Sequence, residues 1–198
     1  MWKPCISAGL LATLIVMQGC SPVQTRHGSA ISPGAVDYAS PEIEETYRQS
    51  LELMQARQWQ EAESQLQAIT EQYPQPAGPW LNLGIARMNL GNNDAAESAF
   101  RTAISKDRDN PVGYNELGIL YRHSGQLDKA LDMYKSALQV APDYPDTHWN
   151  IGILYEMYLS KADLALQHYT RYQQLTDSDD PQLEAWIYIL KKKTDAPT

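Results

Sequence analysis

The chain repeats itself every 34 residues. Trp80-Leu81-Asn82-Leu83-Gly84 returns as Tyr114-Asn115-Glu116-Leu117-Gly118, and again as His148-Trp149-Asn150-Ile151-Gly152. Ala96, Phe100 and Ala103 return as Ala130, Tyr134 and Ala137. A period of this length means one supersecondary unit stacking on copies of itself, which excludes a globule built around one central core. The residue types describe the unit. Gly84, Gly118 and Gly152 stand inside helical stretches, where glycine costs roughly 1 kcal/mol relative to alanine. Three at one spacing imply a packing demand: an aromatic of a second helix must press on the first. Gly91 and Gly125 lie seven residues later, where a left-handed helix end favours glycine. Ala96, Ala130 and Ala165 open the second helix on its inner face, and Pro74 and Pro142 fall at unit ends.

This pattern resembles the tetratricopeptide repeat (TPR). The resemblance implies an all-α fold, a right-handed superhelical α-solenoid of four helix pairs spanning 41–179. Counting in 34s places the units at 43–76, 77–110, 111–144 and 145–179. The first is degenerate, with Thr46 and Gln49 at the aromatic and aliphatic positions, but Trp59, Ala62 and Tyr73-Pro74 keep its register. The fourth carries one extra residue, expected in its inter-helix turn around Leu159-Ser160-Lys161. Beyond it, Asp180-Pro181 reads as an N-cap, and Leu183, Trp186, Ile187 and Leu190 form an i, i+3, i+4, i+7 stripe. A capping helix over 180–193 is expected, followed by a disordered tail, 194–198.

The N-terminus carries a second signal. Lys3 precedes an apolar run from Ile6 to Met17, about twelve residues, too short to span a bilayer and suited to a signal-peptide core. Val16-Met17-Gln18-Gly19-Cys20 resembles a bacterial lipobox. That resemblance implies a signal peptide over 1–19 and lipidation at Cys20, with multiple acyl chains giving stable anchorage. Ser21 after the cysteine favours the outer membrane, with the protein facing the periplasm. Residues 20–40, rich in Ser, Pro, Gly and Ala, read as a flexible tether spanning roughly 25 Å.

Charge and motif content bound the function. Without Lys3, 15 basic side chains stand against 24 acidic ones, so no basic stripe offers itself to nucleic acid. Cys5 leaves with the signal and Cys20 takes the lipid, leaving no thiol for catalysis, metal or disulfide. No HExxH, GxSxG, P-loop or GxGxxG occurs. His148 replaces Trp80 and Tyr114 in its unit and reads as a packed core residue. The expectation is a non-enzyme without cofactor or metal.

By resemblance, the first helix of each TPR unit lines a concave groove that holds a protein or peptide. Carried over by register, the groove residues are Tyr47, Leu51 and Met54, then Leu81, Asn82, Ile85 and Met88. Asn115, Ile119 and Arg122 follow, and Trp149, Asn150, Ile153 and Met157 complete the set. Methionine adapts to varied shapes, and Asn pairs with a peptide backbone as donor and acceptor. The alternative is that Leu51, Ile85, Ile119 and Ile153, at one repeat position, pack between units. A homodimer is another way to cover such a face. The resemblance implies an envelope scaffold or adaptor that helps assemble a machine such as a type IV pilus or secretion system. The alternatives are an adaptor for peptidoglycan hydrolases and proteases, or an accessory binding protein of envelope transport.

Overall fold

The computed structural model describes residues 40–195, and no strand occurs among them. The expected signal peptide, Cys20, the tether before Ser40 and residues 196–198 lie outside the described residues. Four helix pairs follow one another. They are α1 (Pro41–Gln55) with α2 (Trp59–Gln72), α3 (Ala77–Asn89) with α4 (Asn93–Lys106), α5 (Pro111–His123) with α6 (Leu127–Val140), and α7 (Pro145–Ile153) with α8 (Ala162–Thr176). A ninth helix, α9 (Pro181–Thr194), closes the C-terminal end. Each pair packs on the next, so the fold is an α-solenoid; its core is one long cluster from Ile43 to Leu154 and a second around Ile153, Ala165, Tyr169 and Leu190, with half-buried Tyr155 packed against both.

Helices α1, α5 and α9 begin on a side-chain cap. Ser40 Oγ accepts from the Ile43 N–H at 3.4 Å, Asn110 Oδ1 from Val112 at 3.0 Å and Asp180 Oδ1 from Gln182 at 2.9 Å. A proline follows each cap, where its missing N–H has no helical partner to lose. The turn inside a unit depends on a left-handed residue. Gly91 and Gly125 take it at φ 79° and 72°, and the Asn92 and Gln126 N–H groups close back onto Arg87 and Tyr121 carbonyls at 2.9 and 2.8 Å. Arg57 makes the same turn at φ 57° without glycine's freedom.

The repeated glycine sets how closely each pair approaches. A Cβ on Gly84, Gly118 or Gly152 would sit 2.5 Å from a ring carbon of Phe100, Tyr134 or Tyr169. Those three rings are buried, and Ala96, Ala130 and Ala165 are fully buried on the same helices.

Unit four departs from the others. Its extra residue does not simply lengthen the turn at Leu159-Ser160-Lys161. Instead, α7 passes into a π-helical turn over Leu154–Tyr158. The closing bond runs from the Lys161 N–H to the Tyr155 carbonyl at 2.8 Å, one residue wider than in units two and three. The insertion is absorbed inside the helix, as π-bulges do, and the Gly152–Tyr169 contact keeps its register. α9 buries Leu183 and Leu190, half-buries Trp186 and Ile187, and runs through Thr194. Its outer face leaves Tyr188 and Ile189 58% and 64% exposed. Among the described residues no helix is long and apolar enough to cross a membrane.

Candidate functional site

The first helices α1, α3, α5 and α7 carry the candidate groove, and the structure brings the fourteen side chains together along them. Most are not open to a ligand. Tyr47, Leu51, Met54, Leu81, Asn82, Ile85, Asn115, Ile119, Arg122, Asn150 and Ile153 are buried, while Met88 and Trp149 are half-buried. Met157 alone of the fourteen is exposed, at 57%. Most of the expected groove residues therefore lie in a largely internal seam, as the inter-unit packing alternative has it. Glycine-on-ring contact draws α3, α5 and α7 down onto α4, α6 and α8, while unit one has Ser50 and Leu66 at those positions; the Leu51/Ile85/Ile119/Ile153 position is buried in all four units. The open edge of the row is one repeat position further round. Gln55, Asn89, His123 and Met157 stand 34 residues apart and are all exposed. The register of Met157, carried backwards, contained this edge.

Polar groups run along the seam. Asn82 Nδ2 donates to the Tyr47 hydroxyl at 2.7 Å, joining units one and two. Asn150 Nδ2 and the Thr147 hydroxyl donate to Asn115 Oδ1 at 3.1 and 3.0 Å, joining units three and four. Asn115 Nδ2 donates to Glu116 Oε1 at 3.3 Å. Burial pushes the Glu116 carboxyl up to about 7, against the Asn115 hydrogen bond, which pulls it down. Arg122, only 4% exposed, donates through Nε to the Tyr134 hydroxyl at 3.3 Å. Asn82 Oδ1, Arg122 Nη2 and Trp149 Nε1 are buried on this row without a hydrogen-bond partner among the described residues. An unmet buried polar group costs about 1–3 kcal/mol.

Tetratricopeptide-repeat models match residues 47–111 and 99–132, and a TPR-repeat model matches 120–157. The chain is a tetratricopeptide-repeat protein. Among solved structures it is similar to TTC0263, a thermophilic TPR protein of Thermus thermophilus, at 21% identity and TM-score 0.65, over 77% of this chain and 83% of that one. Pseudomonas aeruginosa PilF aligns at 18% identity and TM-score 0.68, over 77% and 68%. YrrB, described as a TPR protein with an unusual peptide-binding site, aligns at 17% and 0.59, over 76% and 74%. At these identities the likeness is one of fold. No curated protein sequence matches the chain.

The junctions between TPR units differ in a way the repeat alone does not announce. Between units one and two, Arg87 Nε donates to Glu63 Oε1 at 3.1 Å. Between units two and three, the Tyr121 hydroxyl donates to Glu97 Oε1 at 2.7 Å and accepts from Arg101 Nη2 at 2.7 Å. Between units three and four the equivalent of Glu63 and Glu97 is Leu131, and a cleft of about 310 Å³ opens beside it. At its edge sits a histidine pair. His148, buried as its register suggests, directs Nε2 to the Pro142 carbonyl at 2.9 Å and Nδ1 to His168 Nδ1 at 3.0 Å. A carbonyl only accepts, so His148 carries its proton on Nε2 and His168 donates from Nδ1. Burial, with His148 alongside, pushes His168 down to about 4.

Proposed function

We propose that this TPR protein is a lipid-anchored scaffold of the bacterial envelope, held at the outer membrane through Cys20 and facing the periplasm. Its row of first helices takes a protein segment along the edge formed by Asn89, His123 and Met157. Assembly of an envelope machine such as a type IV pilus or secretion system is the work this arrangement suits. The lipobox-like Gly19-Cys20 and the tether after it support the anchorage. The observation that carries the binding role is the exposed position that recurs every 34 residues along the first-helix row, at Asn89, His123 and Met157, where a segment laid across the units would meet one side chain from each.

Radiolabelled palmitate should enter the parent protein and not the Cys20→Ser variant. For the partner, the informative substitutions are Met88→Asp with Met157→Asp, because both side chains reach the surface, whereas Ile153→Asp would place a charge in the core. Co-purification of an envelope protein with the parent and its loss from the folded double variant supports the reading. Equal recovery with both sinks it.

Exposed Tyr188 and Ile189 favour a second partner, another copy of the chain docking through α9. Sedimentation of the parent as a dimer and of Ile189→Asp as a monomer is the expected result. A monomeric parent removes this reading.

A further inference from the structure

We propose that the cleft between α6 and α8 is a second binding site, which takes an acidic peptide segment. An apolar side chain of the peptide seats on Leu131, Leu138 and Ile151, and a neighbouring carboxylate meets Lys135 and Tyr155. The three junctions of this solenoid are internal copies of one another, so the two closed ones show what the third lacks. Arg87, Tyr121 and Tyr155 share one repeat position, Gln67, Arg101 and Lys135 a second, and Glu63, Glu97 and Leu131 a third. In the first junction Arg87 reaches both Glu63 and Gln67, and in the second Tyr121 bridges Glu97 and Arg101. A carboxylate from the preceding unit completes each.

In the third junction the phenol and the cation are retained and the carboxylate is gone. Neither the Tyr155 hydroxyl nor Lys135 Nζ has a hydrogen bond or ion pair among the described residues, and both residues line the open cleft. The walls are apolar, with Leu131, Leu138, Ile151 and the Tyr155 ring. The Tyr155 ring is held from two sides, by His168 with centroids 5.8 Å apart and by Lys161 Nζ 5.9 Å from its centroid. A donor pair above an apolar floor, in a cleft of about 310 Å³, fits one large apolar side chain beside one carboxylate. The incoming acid takes the place that Glu97 fills one unit earlier. This site lies on the second-helix side and stands or falls independently of the first-helix row.

The test uses the full chain purified from membranes in detergent. The probe is a fluorescein-labelled hexapeptide alternating Leu and Glu, with a Leu/Gln counterpart as its neutral match, and fluorescence anisotropy reads the affinity. The parent is expected to bind the Glu peptide at least tenfold more tightly than the Gln peptide. Lys135→Gln should erase that difference. Leu131→Glu supplies the missing carboxylate from within, so it should abolish binding while its melting temperature holds or rises. Met88→Asp with Met157→Asp should leave peptide binding unchanged. A parent that binds neither peptide, or both equally, overturns the proposal, as does a folded Leu131→Glu variant that binds like the parent. If Leu131→Glu fails to fold, Lys135→Gln decides: retention of the tenfold preference in that variant overturns the site.

Discussion

Units two and three and the C-terminal quarter are built on the same ring-on-glycine contact, yet they use their side chains differently. In the middle of the array, glycine turns are closed in one geometry, the junctions are bridged by polar pairs, and large apolar side chains are inside. In unit four the helix bulges, a serine at φ 52° replaces the turn glycine, and an aromatic cluster takes over the packing. Trp149 meets Tyr169, Tyr172 and Trp186 at centroid distances of 5.2, 5.1 and 6.0 Å. Glu156 ties the cluster to the cap, accepting from the Tyr169 hydroxyl at 3.0 Å and from Trp186 Nε1 at 2.9 Å. Among the described residues, the exposed large apolar side chains, Met157, Tyr158, Tyr188 and Ile189, fall in this quarter. One repeat design thus yields a regular scaffold in the middle and a surface suited to recognition at one end.

The largest effect is expected at the ring-on-glycine contact that both regions share. Tyr134→Ala empties a fully buried ring site in the regular region and should cost about 4 kcal/mol, the usual range for buried aromatic truncation. Because the solenoid transmits stability through neighbouring interfaces, its melting curve should fall as a whole. A shift of a degree or two would show that the ring is not central.

The next effect concerns the one acidic side chain in the seam. Glu116 has a folded pKa near 7, raised from 4.5, so its contribution is complete below about pH 4.5 and is lost as pH rises through 7. Glu116→Gln should remove a decline on the order of 3 kcal/mol across that window, read by denaturant titration at several pH values. His168 acts in the opposite sense at the other end of the molecule. Its folded pKa lies near 4, below the 6.5 of the unfolded chain, so stability is complete above pH 6.5 and falls as pH drops towards 4. His168→Gln should flatten that acid-side loss. Unchanged pH profiles in both variants would contradict these assignments.

Trp186→Ala separates the regions directly. Half-buried against the cluster, it should cost about 2 kcal/mol, and hydrogen exchange should quicken in α8 and α9 while α3 to α6 keep their protection. Uniform loss of protection would mean that the quarter is not a separate cooperative unit. The smallest effect belongs to Ser160→Gly, which relieves a left-handed conformation while loosening the unfolded chain. The expected gain is below about 1 kcal/mol in thermal melts.

Much of this was legible in the residues. The spacing of Gly84, Gly118 and Gly152 with their aromatic partners describes a close helix pair wherever it occurs. The Asp180-Pro181 start and the Leu183-to-Leu190 stripe describe α9 in the same way. The place of the inserted residue was less visible, because a longer turn and a π-bulge leave the same residue count between Gly152 and Tyr169. Exposure along the first helices depends on how deeply each sinks onto its partner. Ile119 and His123 sit on one helix four residues apart, and only packing depth distinguishes buried from open. The substitution of Leu131 for the carboxylate of Glu63 and Glu97 stands in the sequence, but a cleft depends on how far apart α6 and α8 lie.

The most direct test of the proposed scaffold role is photocrosslinking in living cells, with benzophenone placed singly at His123 and at Met157 of the full chain. Adducts to one and the same envelope protein are expected from both positions, and they should be lost in the Cys20→Ser variant. Absence of adducts from both, or adducts that persist undiminished in Cys20→Ser, would sink the proposal.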